Sequence, residues 1–160
     1  MKKLLMFLLS VTLLAGSLGM NASAQEAACP KGTHTYTVTE NFASDEWLAD
    51  QRGVHLNGGT SVIAREAVNK INISGSTTAS HVCDRVVLTL NVERSTSYAT
   101  GYGTYKTYTY TANDVYQLVK EISNITVERG YYYRVRGVHS VTKDGLIETT
   151  DTLTNPLDYR

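Results

Sequence analysis

Apolar and polar residues alternate along much of the chain, and this period of two is typical of β-strands that bury one face. The clearest example is Arg85–Glu93, whose inward face is predicted from four apolar residues at every second position: Val86, Leu88, Leu90 and Val92. Alternation also predicts strands over residues 33–39, 61–66, 70–75, 104–111, 131–141 and 146–152. Lys143-Asp144-Gly145 predicts a hairpin turn before the last of them.

Two segments do not follow the alternation. Residues Asn41–Arg52 are predicted to form a loop anchored by Phe42, Trp47 and Leu48, with an acidic centre able to start one helical turn. The segment Asn113–Ile122 is ambiguous, because its apolar stripe and its N-terminal Asn and Asp also fit one or two helical turns.

Seven or eight short strands, separated by turn residues and with at most one or two short helical turns, are typical of an all-β antiparallel sandwich. We therefore expect two sheets packed face to face. No repeat and no linker divides the chain. One domain is predicted, with residues 25–59 packing on a core of residues 60–155 and a short tail at residues 156–160.

The N-terminal segment differs in composition from the rest. Met1-Lys2-Lys3 is cationic, Leu4–Leu14 is a short apolar run, and Ala22-Ser23-Ala24 fits the site that signal peptidase cleaves. The run is too short to cross a bilayer, which takes about 20 residues. We therefore expect a helical signal peptide over residues 1–24, cleaved after Ala24, and a secreted protein that is not inserted in a membrane.

Charge argues against one class of partner. The chain carries 15 basic and 15 acidic residues, and the loss of Lys2 and Lys3 with the leader leaves a balance of −2. A slightly acidic protein offers no overall electrostatic attraction to a phosphate backbone. Nucleic acid is therefore not an expected partner.

The chain has two cysteines, Cys29 and Cys83. In an exported protein such a pair is a candidate disulfide, which would tie the N-terminal segment to the body and contribute about 3 to 4.5 kcal/mol in the chain-entropy model. Two reduced thiols are the alternative, since some Gram-positive secreted proteins avoid disulfides.

Catalytic and metal-binding motifs are absent from the sequence. The four histidines show neither H-E-x-x-H nor H-x-H spacing, so no metal and no cofactor are expected. His139 is the most interesting of them, because alternation puts it on the same face as Tyr133 and Val135 near a strand end. We keep His139 as a binding candidate, and the alternative is a packed, hydrogen-bonded residue.

Tyrosine is the unusual feature of the composition, with eleven residues, all of them after the leader. Five fall within one short window: Tyr98, Tyr102, Tyr105, Tyr108 and Tyr110. An exposed tyrosine joins a large apolar ring to a hydroxyl and suits contact with sugars or proteins. The alternative is that these residues fill half-buried sheet positions, where tyrosine is favoured.

The outward positions of the segment 131–136 form a second candidate surface. They are Tyr132, Arg134 and Arg136, because alternation turns the residues between them toward the core. An arginine beside a tyrosine can hold a carboxylate or stack on an aromatic ring. The alternative is cross-strand pairing with a glutamate. Three glutamates are candidates for that pairing: Glu121, Glu128 and Glu148.

Residues 71–79 read INISGSTTA and residues 130–141 read GYYYRVRGVHSV, with CDRV and VER between them. Together they resemble a family of small secreted proteins of Gram-positive bacteria whose function is unknown. The resemblance spans residues 60–152 and implies no activity and no catalytic residue. A weaker, architectural resemblance of Tyr133-x-Val135 and Asp144-Gly145 to immunoglobulin-like and fibronectin type III modules implies the sandwich.

These observations predict a secreted, non-catalytic binding or cell-surface interaction module whose partner is a protein or a cell-wall glycan. A secreted antibacterial or toxin-like effector is the alternative from another class, and an extracellular hydrolase is the third.

Overall fold

The computed structural model describes residues 29–50 and 55–160, and the regular structure of these residues is entirely β. Eight strands form a single antiparallel sheet. They are β1 (Gly32–Val38), β2 (Phe42–Ala49), β3 (Leu56–Ala67), β4 (Lys70–Ser95), β5 (Gly103–Thr126), β6 (Tyr132–Lys143), β7 (Leu146–Leu153) and β8 (Leu157–Asp158). Within the described ranges, no helix is long and apolar enough to cross a membrane.

Strand β4, with 26 residues, is the centre of the sheet. On one side, β5 runs antiparallel along nearly its whole length. On the other side, its N-terminal half pairs with β3 and its C-terminal half pairs with β6. The sheet continues beyond β3 through β2 to β1, and beyond β6 to β7. Strands β1, β5, β7 and β8 each pair with a single neighbour and therefore form the edges of the sheet.

The sheet curls into a half-barrel around the middle of β4. Between Thr78 and Cys83, the register of β4 against β5 shifts, and irregularities of this kind let a strand bend. The bend brings the two halves of β4 face to face, so that a Cβ at Gly75 would lie only 2.8 Å from Leu90 Cδ2. Position 75 requires glycine, because a side chain there would hold the two halves of β4 apart.

The all-β class, the antiparallel pairing and the number of strands are confirmed. The expected division into two sheets is not found in the described chain, because all eight strands belong to one hydrogen-bonded sheet. The reason lies in β4: the segments predicted as separate strands over residues 70–75 and 85–93 are one continuous strand. Its backbone hydrogen bonds to β5 continue on both sides of the bend, so one sheet forms where a sandwich would have two separate sheets.

The core lies inside the curl. The four inward residues predicted for Arg85–Glu93 are all fully buried there, which confirms the alternation. The wall that faces them includes Trp47 of β2 and Ile63 of β3, and β6 contributes Tyr133 and Val135. One apolar core therefore joins the two halves of the sheet.

The two segments that lack clear alternation are also strands. The loop predicted for Asn41–Arg52 is wrong in its described part, because Phe42–Ala49 form β2. Asp45 occupies an inward, fully buried position of β2. Because this inward residue is polar, the apolar residues of β2 do not recur at every second position. Residues Asn113–Ile122 lie within β5 rather than in a helix, since β4 supplies their backbone hydrogen-bond partners.

Cys29 and Cys83 are free thiols, so the predicted disulfide is not formed. Cys29 is exposed just before β1, whereas Cys83 is buried in β4. Strands β2 and β3 lie between β1 and β4. Three interstrand spacings place β1 about 14 Å from β4 along the sheet. A disulfide requires Cα atoms within about 7 Å of each other.

The predictions for the two ends of the chain have different outcomes. The leader predicted over residues 1–24, with its cleavage site after Ala24, lies outside the described residues. The predicted tail at residues 156–160 is part of the fold: Leu157–Asp158 form β8 against β6, and Tyr159 is buried. The C-terminus therefore helps to close the core.

Candidate binding surface

The tyrosines of the 98–110 window do not form one surface. Tyr98 lies in the loop between β4 and β5, with Tyr102 at its end, and both contact side chains on the outer face of β6. Tyr105, Tyr108 and Tyr110 belong to β5 and pack, partly buried, against the core. Only the first two tyrosines therefore join the outward residues of β6, and the half-buried alternative describes the other three.

The outer face of β4 and β6 carries an ion-pair network centred on Glu93. Glu93 is 8% exposed. Its carboxylate accepts hydrogen bonds from Nε of Arg134 at 2.7 Å and from Nε of Arg136 at 3.0 Å. Arg136 also donates from Nη1 to Asp151 at 2.8 Å. Glu93 is the partner because it lies directly opposite Arg134 in the neighbouring strand, whereas the three glutamates considered from the sequence have other contacts.

Arg134 is also held by an aromatic ring. Its guanidinium carbon lies 3.8 Å from the ring centroid of Tyr102, whose hydroxyl donates to the carbonyl of Tyr98 at 3.0 Å. Tyr98 meets Tyr132 edge to face, with ring centroids 5.5 Å apart. We call this group the Tyr–Arg surface. It consists of Tyr98, Tyr102, Tyr132, Arg134 and Arg136.

The Tyr–Arg surface is preorganised and still has free donors. Among the described residues, the two Nη amines of Arg134 make no hydrogen bond, while its Nε and its ring contact fix the guanidinium plane. Burial raises the pKa of Tyr102, and the charge of Arg134 opposes that rise. The phenol therefore stays protonated at neutral pH. A fixed guanidinium matches the oxygens of a carboxylate, so the arrangement suits a ligand with carboxylate or hydroxyl groups.

A second aromatic cluster lies on the inner face. Arg94 sits between the rings of Tyr105 and Tyr131, 4.5 Å from each centroid. Tyr133 contacts the edges of these two rings and of Tyr159, with centroids 5.6 to 6.3 Å away. Burial raises the pKa of Tyr133 and raises the pKa of Tyr159 to about 12. This cluster closes one end of the core, and sequence reasoning missed it because Tyr159 falls in the predicted tail.

His139, a binding candidate from the sequence, is fully buried and cannot contact a ligand at the surface. Its Nδ1 lies 3.1 Å from Thr77 Oγ1, and its Nε2 lies 2.8 Å from Thr152 Oγ1. The Thr77 hydroxyl donates to the carbonyl of Val87, so we assign it as the acceptor of Nδ1–H, with Nε2 accepting from Thr152. Burial lowers the pKa of His139 to about 4, which keeps the ring neutral. These contacts hold the ring inside the core.

The other histidines form contacts that the sequence does not reveal. His34 Nδ1 lies 3.0 Å from both carboxylate oxygens of the buried Asp45, and His55 Nδ1 lies 3.0 Å from His81 Nε2. Folding brings these residues together from different strands or strand ends. In the part of the chain that the structure describes, no group of three or more His, Cys, Asp or Glu side chains could hold a metal ion.

Comparison with known proteins identifies a family but no activity. A family model matches residues 21–157, and the chain belongs to that family, which is described as a family of unknown function (DUF6147). No curated protein and no solved structure matches the chain. The membership agrees with the unknown-function family that segments 71–79 and 130–141 resemble, and it assigns no ligand to the Tyr–Arg surface.

Proposed function

We propose that this member of a family of unknown function is a secreted, non-catalytic binding module whose Tyr–Arg surface contacts an extracellular protein or a cell-wall glycan. The observation that carries the proposal is the state of Arg134. Glu93 and Tyr102 hold its guanidinium in one plane, and its Nη amines have no hydrogen-bond partner among the described residues. A donor that is already oriented loses little conformational freedom when a ligand binds.

Tyr98 supplies the apolar part of the proposed contact. It is 57% exposed, and the ring of Tyr132 supports it from below by an edge-to-face contact. A rigid tyrosine ring offers a large contact area at a low cost in side-chain entropy. A sugar ring or an aliphatic side chain can stack on Tyr98 while Arg134 binds a neighbouring carboxylate or hydroxyl group.

Secretion from a Gram-positive host is part of the same proposal and is supported by the sequence of the leader. The cationic start, the short apolar run and the small residues before Gln25 are together typical of a signal peptide. N-terminal sequencing of protein recovered from the culture medium tests this step. We expect a chain that begins at Gln25, and protein that stays in the cells with the leader attached contradicts it.

The binding step is tested on a glycan array and by retention on purified cell walls and on intact cells. We compare the secreted protein with its Tyr98→Ala and Arg134→Gln variants. Tyr116→Ala is the matched control, because Tyr116 is 58% exposed but lies in β5, outside the Tyr–Arg surface. We expect each of the first two changes to weaken retention at least tenfold, which corresponds to about 1.4 kcal/mol, and the control to leave it unchanged.

Four outcomes count against the proposal. The absence of retention on every glycan, wall and cell preparation contradicts it, and so does an equal loss in Tyr116→Ala. Growth inhibition of neighbouring strains by the purified protein instead favours the antibacterial or toxin-like effector. Release of soluble products from the cell walls instead favours the extracellular hydrolase.

A further inference from the structure

His55 and His81 form a close pair on one side of the bend in β4. Nδ1 of His55 lies 3.0 Å from Nε2 of His81, and the two rings are nearly perpendicular. Their backbones are tied together, because the amide of Ser80 donates to the carbonyl of His55 at 2.9 Å. The backbone segments that carry the two rings are therefore hydrogen-bonded to each other.

The hydrogen bonds around Ser80 decide which nitrogen of His81 carries the proton. The Ser80 hydroxyl donates to the carbonyl of His55, which can only accept, at 3.4 Å. The same oxygen lies 2.9 Å from Nδ1 of His81, and we assign it as the acceptor of Nδ1–H. A neutral His81 then presents the lone pair of Nε2 to His55. A histidine oriented in this way by its other nitrogen is the usual arrangement of a metal ligand.

We propose that His55 and His81 bind a divalent cation of the later first-row transition series, such as Cu²⁺, Ni²⁺ or Zn²⁺. Neutral imidazole nitrogen is a preferred ligand of these ions. Two nitrogens at about 2.0 Å from one ion lie about 2.8 Å apart for a right angle at the metal and about 3.3 Å apart for a tetrahedral angle. The observed 3.0 Å lies between these values. His55 then uses the lone pair of Nδ1 and carries its proton on Nε2.

His81 is exposed, so solvent can reach an ion bound at its ring. An open depression next to His81 is lined by Asn57, Thr78 and Tyr116, and it leaves room for water or for a ligand atom from a partner. Because no third His, Cys, Asp or Glu side chain is grouped with the two histidines among the described residues, the site is an accessible one that exchanges its ion, unlike a closed structural site.

Metal titration of the full chain, prepared without a polyhistidine tag, tests the proposal. All proteins carry Cys29→Ser, because an exposed thiol is itself a soft metal ligand. Calorimetry with Cu²⁺, Ni²⁺ and Zn²⁺ at pH 7.5 should show one ion per chain, with Cu²⁺ bound most tightly. His55→Gln and His81→Gln should each weaken binding at least tenfold. His34→Gln is the matched control and should leave the affinity within about twofold.

Two further readouts separate a metal site from a loss of folding. The fluorescence of the buried Trp47 confirms that each variant is folded, and the electron paramagnetic resonance spectrum of bound Cu²⁺ should show coupling to two nitrogens. The proposal is overturned if no ion binds saturably. It is also overturned if folded His55→Gln and His81→Gln bind as tightly as the parent protein, or if His34→Gln lowers the affinity as much as they do.

Discussion

We expect the fold to lose stability as the pH falls from about 6.5 to about 4, because burial disfavours the protonated form of His139. Its pKa is lowered by burial from an ordinary value of 6.5 to about 4. Between these values the unfolded chain holds a proton at His139 and the folded chain does not. Falling pH therefore favours the unfolded state in this window, and the contribution to stability is complete above about pH 6.5.

The size of the effect follows from the difference between the two pKa values. About 2.5 pH units, at about 1.36 kcal/mol for each unit, give about 3 kcal/mol over the whole window. Between pH 7.5 and pH 4.5 the expected loss is about 2.5 kcal/mol. Because small domains are stable by only about 5 to 15 kcal/mol, this is a large fraction of the total.

Urea unfolding at several pH values measures this loss. Trp47, the only tryptophan of the chain, is 2% exposed and reports the transition by fluorescence. With a denaturant slope of about 2 kcal/mol per molar, the midpoint should fall by about 1 M urea between pH 7.5 and pH 4.5. Circular dichroism at the same urea concentrations checks that the transition is two-state.

The variant His139→Gln isolates the residue from every other titrating group. Its amide can donate to Thr77 and accept from Thr152 but carries no titrating proton. We expect a lower stability than the parent protein at pH 7.5 and a pH dependence smaller by about 2.5 kcal/mol. If the parent and His139→Gln lose the same stability between pH 7.5 and pH 4.5, the reasoning is refuted. His139→Asn serves the same comparison if the first variant does not fold.

Three further experiments test other contacts of the structure. Gly59→Ala should lower the free energy of unfolding in urea by about 1 to 3 kcal/mol, because a Cβ there would lie 2.5 Å from the buried ring of His139. Gly103→Ala is the control and should be nearly neutral, since a Cβ there meets nothing within 4 Å. Equal losses in the two variants would contradict the close packing at Gly59. Glu93→Ala leaves two half-buried arginines without their shared carboxylate and should cost about 1 to 3 kcal/mol, and an unchanged midpoint argues against that network. Thiol labelling of the folded protein, followed by mass spectrometry, should modify Cys29 but spare Cys83, whose thiol is buried and has a raised pKa; equal labelling rates, or no free thiol at all, would refute this assignment.

Local alternation was sufficient to predict the strands whose two faces differ in polarity. The inward residues of Arg85–Glu93 and the outward positions of Arg134 and Arg136 follow from it directly. It failed at Phe42–Ala49, where an inward aspartate breaks the pattern. Asp45 is tolerated there because His34 and the amide of Leu153, from distant segments, both bind its carboxylate. No neighbouring residue in the sequence reveals those partners.

The surroundings of each candidate residue also depended on strand pairing. Tyr98 and Tyr105 lie in one window of the sequence but contact opposite faces of the sheet, because the first is in the loop and the second lies at the register shift between β4 and β5. Glu93 became the partner of Arg134 only through the register of β4 against β6. The histidine pair arises because β3 and β4 place His55 beside His81.

By itself, the sequence determined the all-β class, the approximate strands and which side of each alternating strand faces the core, because these depend on a period of two read over a few residues. The tertiary structure alone decided that β4 is continuous, that the sheet curls into a half-barrel, and which polar groups meet. Curvature and register arise from contacts between residues far apart in the chain, such as Gly75 with Leu90 and Thr77 with His139. A local pattern carries no information about contacts of that range, and the proposed binding surface and the proposed metal site both depend on them.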